Sequence, residues 1–187
     1  MTQIRPITRK LILEEAGKWD PPWSDICCMF SIKKRKFQCN MWLEIFDAVG
    51  GIGFVSWEDD EAVGQMIFLP KKYARKIGLP ISRPNEEIEK TMVIGCLYVP
   101  KEHRNKGIAS AMIRELISFC DDHGYKRIEV PVDLRPPDKK MFSTISFFPF
   151  RKFGFVIDEA SLGWEFELKT RIAVFDKSNS SLNGAAT

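Results

Sequence analysis

Residues 99–110, with the sequence VPKEHRNKGIAS, place four basic side chains beside a glycine: Lys101, His103, Arg104 and Lys106. An apolar run ends just before this segment, and a pattern typical of an amphipathic helix begins within it. A helix N-terminus carries unpaired backbone N–H groups and the positive end of the helix dipole. Gly107 lets a ligand approach the backbone, because it has no Cβ. The segment therefore predicts an anion-binding turn, and a pyrophosphate suits it.

Other chemistry-bearing patterns are missing from the sequence. Neither the Gly-x-x-x-x-Gly-Lys-Ser/Thr phosphate loop nor the Gly-x-Gly-x-x-Gly dinucleotide fingerprint occurs. The five cysteines are odd in number, include the adjacent pair Cys27 and Cys28, and do not fit a disulfide framework. With no Cys-x-x-Cys pair and two histidines, we expect no metal site. We expect buried thiols in a reducing cytoplasm, and a cysteine nucleophile is the less favoured alternative.

The elements that must position this turn follow from the spacing of apolar residues. Residues 91–99, TMVIGCLYV, form a continuous apolar run, as expected of a central strand that is covered on both faces. Residues 107–124 have apolar side chains at helical spacing, and Gly124 is expected to end that helix. Residues 127–133, RIEVPVD, alternate as a strand does. The turn is therefore the first connection of a strand–helix–strand unit.

Further elements complete the predicted α/β (α+β) fold, in which a mixed sheet has helices on both faces. They are a strand at 3–7, a helix from an N-cap at Thr8 to about Lys18, a helix at 37–49, a hairpin around the acidic turn Glu58–Glu61, a short helix at 145–153 and two last strands at 154–159 and 163–169. We expect a single domain over residues 1–176. Residues 177–187 are expected to be a disordered tail, because they have little to bury.

The turn and its surroundings resemble the GNAT family of acyl-CoA-dependent N-acetyltransferases. The family signature, Arg/Gln-x-x-Gly-x-Gly/Ala after a strand, is matched by Arg104-x-x-Gly107-x-Ala109. A second family segment, an aromatic residue followed by Lys-x-Gly-Phe, is matched by FRKFGFV at 150–156. The segment WSDICCMF at 23–30 resembles a bacterial subgroup with a Trp/Cys-rich N-terminal segment. The resemblance implies a mixed, mostly antiparallel central sheet with a splayed parallel strand pair.

The resemblance also implies where acetyl-CoA binds as a co-substrate. It would lie between the splayed strands, which here are Met92–Val99 and Arg127–Val132. The pantetheine arm would pair with backbone groups of Leu97 and Val99, like an added strand. Arg104 and Lys106 would give charge-assisted contacts to the pyrophosphate. The pyrophosphate itself would bind the N–H groups of one short stretch: Asn105, Lys106, Gly107, Ile108, Ala109 and Ser110.

The implied reaction is direct attack of an acceptor amine on the thioester, with a backbone N–H near Leu97–Val99 holding the oxyanion. A base must take a proton from the amine. Glu129 and Asp133 are candidates, although a glutamate on a strand is more often part of a solvated face. The tyrosine that many family members use as the acid is Phe150 here, so Tyr98 or solvent must protonate the thiolate. We name Glu129 and Tyr98 as the catalytic candidates.

The sequence thus predicts a cytoplasmic, acetyl-CoA-dependent N-acetyltransferase that acts on a primary amine of a small molecule. The alternative is a non-catalytic acyl-CoA-binding or regulatory module that lacks the acid. A protein lysine is a less favoured acceptor, because the basic side chains of residues 71–90 are expected to form a rim that repels it. That rim consists of Lys71, Lys72, Arg75 and Lys76.

The composition gives no reason to expect nucleic acid or a membrane as a partner. The net charge is only +3, and a small net charge gives little attraction to polyanions. No window approaches the ~20 apolar residues of a membrane span, and the start of the chain does not resemble a secretion signal. A homodimer is common in the family and compatible with this sequence.

Overall fold

The computed structural model describes residues 2–13, 36–76, 79, 81–82, 88–134, 145–159 and 170–177. Four predictions therefore lie wholly or mostly outside the described residues. They concern the Trp/Cys-rich segment, the first helix beyond Leu13, the strand at 163–169 and the tail beyond Lys177.

The described residues form eight strands, five α-helices and two short 3₁₀ turns. The strands are β1 (Gln3–Pro6), β2 (Gly53–Glu58), β3 (Glu61–Pro70), β4 (Thr91–Tyr98), β5 (Arg127–Asp133), β6 (Ile145–Ser146), β7 (Val156–Ile157) and β8 (Thr170–Asp176). The α-helices are α1 (Arg9–Leu13), α2 (Lys36–Val49), α3 (Lys71–Lys76), α4 (Ile108–Asp122) and α5 (Phe148–Arg151). The 3₁₀ turns are Ile88–Lys90 and Lys101–His103.

The strands are hydrogen-bonded in the order β1-β2-β3-β4-β5-β8-β7, and β6 pairs with β5. The β1–β2, β2–β3, β5–β8 and β7–β8 pairs are antiparallel. The β4–β5 pair is parallel, and so is the pair between β5 and the two-residue strand β6. The sheet is therefore mixed and mostly antiparallel, which confirms the predicted fold class.

The chain divides into two compact units, whose boundaries fall inside β3, β4 and α4. The first unit comprises Met1–Phe68 and Cys96–Arg114, and the second comprises Leu69–Gly95 and Glu115–Thr187. The expectation of a single domain over residues 1–176 stays a prediction. Among the described residues, no helix combines the length and the apolar character that crossing a membrane requires.

Local sequence explains how the elements of the first unit begin and end. Thr8 caps α1 as predicted, since its Oγ1 accepts a hydrogen bond from the Leu11 N–H at 3.2 Å. Asp59 and Asp60 turn the β2–β3 hairpin with φ angles of 48° and 63°, a conformation that aspartate tolerates well. The predicted hairpin is thus confirmed. The core of this unit includes Trp42, Ile45, Val55, Met66, Phe68, Ile108 and Met112, all of them buried.

β5 lies at the centre of the second unit, between β4 and β8. Its residues Ile128, Val130 and Val132 are buried. The whole length of β5 pairs with β8, from Arg127–Asp176 to Asp133–Thr170. The sequence did not predict β8, because its apolar stretch is short and is flanked by Arg171 and Asp176. Leu116, Cys120, Phe150 and Phe155 are also buried in this unit.

Candidate active site

The predicted anion-binding turn joins β4 to α4 within the first unit. After Pro100 the 3₁₀ turn is closed by its own backbone, since the N–H groups of His103 and Arg104 donate to the carbonyl oxygens of Pro100 and Lys101 at 3.0 and 3.2 Å. Asn105 and Gly107 then adopt left-handed backbone conformations, with φ angles of 62° and 84°. These two reversals turn the chain into α4.

The first turn of α4 presents amides that have no acceptor inside the helix. The helix's hydrogen-bond ladder begins with the Ala111 N–H, which donates to the Gly107 carbonyl at 2.9 Å. The amides of Ile108, Ala109 and Ser110 precede that bond. A Cβ placed on Gly107 would meet no heavy atom of the described residues within 4 Å, so the space at the glycine is open. This arrangement fits a pyrophosphate.

The two cations that were predicted to bind the pyrophosphate stand in different surroundings. The Arg104 Nε donates to the Val99 carbonyl oxygen at 3.0 Å, so the guanidinium folds back over the end of β4. Lys106 is exposed and lies between the two left-handed residues. Leu97, Tyr98 and Val99 are half-buried. The structure thus gives Arg104 a contact that the sequence did not predict.

Gly64 on β3 lies directly behind this turn, and sequence reasoning missed it. A Cβ at Gly64 would lie 3.2 Å from Ile108 Cγ2, 3.3 Å from the Tyr98 carbonyl oxygen and 3.4 Å from Met112 Cε. The glycine therefore lets both the end of β4 and the first turn of α4 approach β3 closely. A glycine inside a strand pattern is the signal that could have indicated this approach.

His103 gives the turn a further neighbour within the first unit. Its Nδ1 lies 3.4 Å from Oε2 of Glu58, the last residue of β2. Both side chains are partly exposed. The β2–β3 hairpin and the 3₁₀ turn are therefore in contact just before Arg104.

Glu129, one of the two catalytic candidates, lies on β5 in the second unit and is fully buried. Its Oε1 accepts hydrogen bonds from Ser82 Oγ at 2.6 Å, from Lys71 Nζ at 2.9 Å and from Arg127 Nε at 2.9 Å. Its Oε2 accepts from the Ser82 backbone N–H at 3.1 Å. Lys71 Nζ also donates to Ser82 Oγ at 2.7 Å. We call Lys71, Ser82, Arg127 and Glu129 the buried carboxylate cluster.

The buried carboxylate cluster keeps Glu129 ionised. Burial by itself raises the pKa of Glu129, but the hydrogen bonds from Ser82 and Lys71, the charge of Lys71 and the hydrogen bond from Arg127 outweigh it. The pKa therefore lies below the ordinary value of a glutamate. A general base works best when its pKa lies near the operating pH, and this environment moves Glu129 away from that range. Asp133, the other candidate on β5, is also buried.

The predicted basic rim is wrong for Lys71, whose side chain is fully buried and paired with Glu129. Lys72 is partly exposed and pairs with Glu89 at 2.9 Å. Arg75 and Lys76 are exposed. The sequence could not separate Lys71 from the other three side chains, because its burial depends on contact with Glu129 on β5, 58 residues along the chain.

Phe150 and the described cysteine side chains belong to the core. Phe150 is fully buried and packs edge-on against Phe155, with ring centroids 5.1 Å apart. Cys96 and Cys120 are buried thiols, as predicted. Burial raises the pKa of Cys120 to about 12, although the charge of Lys177 opposes the shift. Among the described residues, no group of three or more His, Cys, Asp or Glu side chains could hold a metal ion.

Solved structures with the same fold come from many acetyltransferases. The chain is similar to an N-acetyltransferase from Staphylococcus aureus Mu50, with 17% identity, a TM-score of 0.58 and coverage of 95% of this chain and 99% of that one. It is also similar to yncA, a putative acetyltransferase from Salmonella typhimurium with its cofactor acetyl-CoA, with 13% identity, a TM-score of 0.61 and coverage of 95% and 94%.

A third similar structure is the paia N-acetyltransferase from Thermoplasma acidophilum in complex with coenzyme A. It has 12% identity, a TM-score of 0.54 and coverage of 94% of this chain and 99% of that one. At such identities the likeness shows the fold alone. A search of curated proteins found no match.

The sequence itself carries the family assignment. Residues 19–147, more than half of the chain, match the sequence model of the acetyltransferase (GNAT) family. The matched range includes β4, the anion-binding turn, α4 and β5. The chain therefore belongs to the GNAT family of acetyltransferases.

Proposed function

We propose that the protein transfers the acetyl group of acetyl-CoA to a primary amine of a small molecule, by direct attack of the amine on the thioester. The observation that carries this proposal is the turn after β4, where unpaired helix amides and an open left-handed glycine form a site suited to a diphosphate. The bound cofactors of two similar structures support the choice of acetyl-CoA.

The proposed site uses backbone groups more than side chains. Backbone groups of Leu97 and Val99 pair with the pantetheine arm, and the amides of residues 105–110 bind the pyrophosphate. Lys106 adds a charge-assisted contact, as does the part of the Arg104 guanidinium beyond Nε. A backbone N–H near the end of β4 stabilises the oxyanion, and such a donor typically contributes ~3 kcal/mol to the transition state.

Tyr98 is the proposed acid of the reaction. Tyr98 lies between the two pantetheine-binding residues, is half-buried, and its hydroxyl can protonate a leaving thiolate. Phe150 cannot do so, because its side chain has no exchangeable proton. Glu129 remains a candidate base, although its contacts favour a positioning role.

The small-molecule acceptor, a cytoplasmic location and a homodimer stay predictions. Of the predicted basic rim, Arg75 and Lys76 are exposed, and they support an acceptor that carries a carboxylate. An acceptor that carries only positive charge would be repelled by them.

A second candidate function is favoured by Phe150. Because this side chain is buried against Phe155, the position that resembles the family's acid is part of the core. A protein that kept the cofactor site without an acid would bind acyl-CoA and regulate a partner.

The test measures the release of coenzyme A from acetyl-CoA with each member of a panel of amines, which includes amino acids and polyamines. The loss of thioester absorbance reports the release. We expect turnover with at least one amine and a measurable dissociation constant for acetyl-CoA. Binding without turnover over the whole panel would favour the regulatory module. Failure to bind acetyl-CoA would contradict both functions.

The variant Gly107→Glu tests the site itself. We expect it to abolish acetyl-CoA binding, because it puts bulk and negative charge where the diphosphate binds. The matched control is Gly124→Glu after α4, where the glycine has a φ of 74° and its Cβ position is equally open. Both variants add the same backbone strain and charge, so binding lost in Gly107→Glu and kept in Gly124→Glu identifies the site. Unchanged affinity in folded Gly107→Glu would refute the assignment.

A further inference from the structure

We propose that the buried carboxylate cluster fixes the point at which β4 and β5 separate, and that Glu129 is a positioning residue within it. The inference rests on the proposed function, because the course of β4 matters through the pantetheine-binding residues that it carries. It assigns to Lys71 and Ser82 a role that the family signature does not contain.

The register of the two parallel strands places Glu129 at the separation point. β4 and β5 pair at Thr91–Arg127, Met92–Ile128 and Val93–Glu129. Both strands continue beyond these pairs, β4 to Tyr98 and β5 to Asp133. Glu129 is therefore the β5 residue of the last pair before the strands take separate courses.

The cluster joins chain segments that are distant in sequence. Lys71 opens α3, directly after the end of β3. Ser82 contributes both its backbone N–H and its hydroxyl to the carboxylate of Glu129, so its main chain is held as well as its side chain. Arg127, at the first of the three strand pairs, donates to the same carboxylate.

Ion pairs of Arg127 connect the cluster to β8 and to the residues after β7. Arg127 Nη2 lies 3.8 Å from Asp158 Oδ2, and Arg127 Nη1 lies 3.8 Å from Asp176 Oδ2. Asp176 is also the β8 partner of Arg127 in the antiparallel register. Arg127 thus faces three carboxylates, and Lys71 pairs with one of them, Glu129.

The hydrogen bonds of Glu129 favour positioning over proton transfer. Oε1 accepts three hydrogen bonds, whereas a carboxylate oxygen offers about two lone-pair directions. Taking a proton, even at Oε2, which accepts the Ser82 N–H, would leave Lys71 without its ionised partner. Removing one member of a buried ion pair is strongly destabilising, because the remaining charge stays buried. For the same reason, a displacement that separates the charges of the cluster costs free energy, so their positions are held firmly.

The first experiment compares Glu129→Leu, Lys71→Met and the double variant that combines them. For a positioning role, we expect each single variant to lower kcat at least tenfold. The double variant should regain most of that loss, because an apolar pair can replace a buried ion pair without leaving a charge unpaired. Its pH–rate profile should keep the acidic limb of the wild type. A folded double variant that stays as inactive as Glu129→Leu, or that loses the acidic limb, would make Glu129 the base.

The matched control is Lys126→Met, which makes the same change at an exposed lysine outside the cluster, directly before β5. We expect wild-type kcat and KM for it. If Lys71→Met behaves like this control, the positioning role is refuted.

A milder pair covers the case in which the charge variants do not fold. Ser82→Ala removes the hydroxyl without leaving a charge unpaired, and Ser82→Thr keeps it. We expect Ser82→Ala to lower kcat several-fold and Ser82→Thr to restore it. Equal activity of Ser82→Ala and wild type would refute the proposal.

A readout without turnover separates this inference from the proposed function. Hydrogen–deuterium exchange should become faster at residues 91–95 and 127–131 in Ser82→Ala, and stay unchanged in Lys126→Met. A wild type that releases no coenzyme A would overturn the proposed function, whereas unchanged exchange in Ser82→Ala would overturn the positioning role.

Discussion

Arg104 and Lys106 carry the same charge two residues apart, yet they contact different groups. Arg104 is tied through Nε to the carbonyl oxygen of Val99, and so fixes the end of β4. Lys106 is exposed between Asn105 and Gly107, both of which have positive φ. We therefore propose that Lys106 contacts the diphosphate. Arg104 holds the backbone through Nε, and only its remaining N–H groups are left for the diphosphate.

The variant Lys106→Gln tests this assignment. We expect acetyl-CoA affinity to fall about five- to thirtyfold, since a charge-assisted hydrogen bond contributes on the order of 1–2 kcal/mol. The affinity should also depend less on salt concentration, because one cation no longer faces the diphosphate. Lys101→Gln is the control, as it removes an exposed lysine from the 3₁₀ turn. Titration calorimetry at several salt concentrations measures both effects, and equal losses in the two variants would contradict the assignment.

Residue types and spacing predicted the anion-binding turn because all of its parts are consecutive. Arg104, Lys106 and Gly107 lie within four residues, so the chain itself brings them together. The partners of Glu129 could not be predicted in this way. Lys71 and Ser82 reach it over 58 and 47 residues of sequence, and only the pairing of β5 decides which side chains meet there.

At the scale of elements, the site depends on how closely β3, β4 and α4 approach one another. Gly64 is a point of close approach, because a Cβ added there would have three neighbours from two elements at 3.2 to 3.4 Å. Ile108 and Met112 are both buried on α4. A side chain at position 64 would therefore press on Ile108 Cγ2 and on the Tyr98 carbonyl oxygen, which must shift by a few tenths of an ångström to admit it.

The variant Gly64→Val should both destabilise the protein and weaken cofactor binding. Overpacking of this kind typically costs about 1–3 kcal/mol, and the displaced amides of α4 would no longer fit the diphosphate. Ala62→Val is the control, because it enlarges a half-buried residue of the same strand, on the other side of the register shift between β2 and β3. Thermal unfolding and acetyl-CoA titration measure the two effects. Normal cofactor affinity in Gly64→Val would show that the close approach does not position the turn.

Elements with a clear periodicity of apolar residues were predicted well, and short elements were not. The helices α2 and α4 and the strands β4 and β5 follow from their apolar spacing, and the β2–β3 hairpin follows from its acidic turn. β8 was missed because pairing with β5 and β7, rather than its own composition, stabilises it. The helix α3 was missed because it has only six residues and begins with a buried lysine.

At the scale of the whole molecule, the buried carboxylate cluster links stability to pH. The pKa of Glu129 in the folded protein lies below the ordinary value of 4.5. A lowered folded pKa means that the ionised carboxylate stabilises the folded state at any pH above the ordinary value. That stabilisation is lost as the pH falls through the folded pKa. The cluster therefore contributes most at neutral pH and least in strong acid.

The variant Glu129→Gln should expose this dependence. At pH 7 we expect it to lower the free energy of unfolding by about 3–5 kcal/mol, since it leaves a buried lysine without its ionised partner. The difference from wild type should shrink as the pH falls below 4.5. Glu115→Gln on α4 is the control, because Glu115 is exposed. Urea unfolding between pH 3 and pH 7 gives the comparison, and a difference that does not change with pH would contradict the role of the ionised carboxylate.

The place of β8 has a consequence for how the chain is made. It is the last of the eight strands to be synthesised, yet it lies between β5 and β7. In a nascent chain, the edge of β5 that pairs with β8 therefore stays unpaired until residue 176 has left the ribosome. Unpaired strand edges attract other chains. If translation pauses before residue 176, the exposed edge of β5 is therefore where a chaperone would protect the chain.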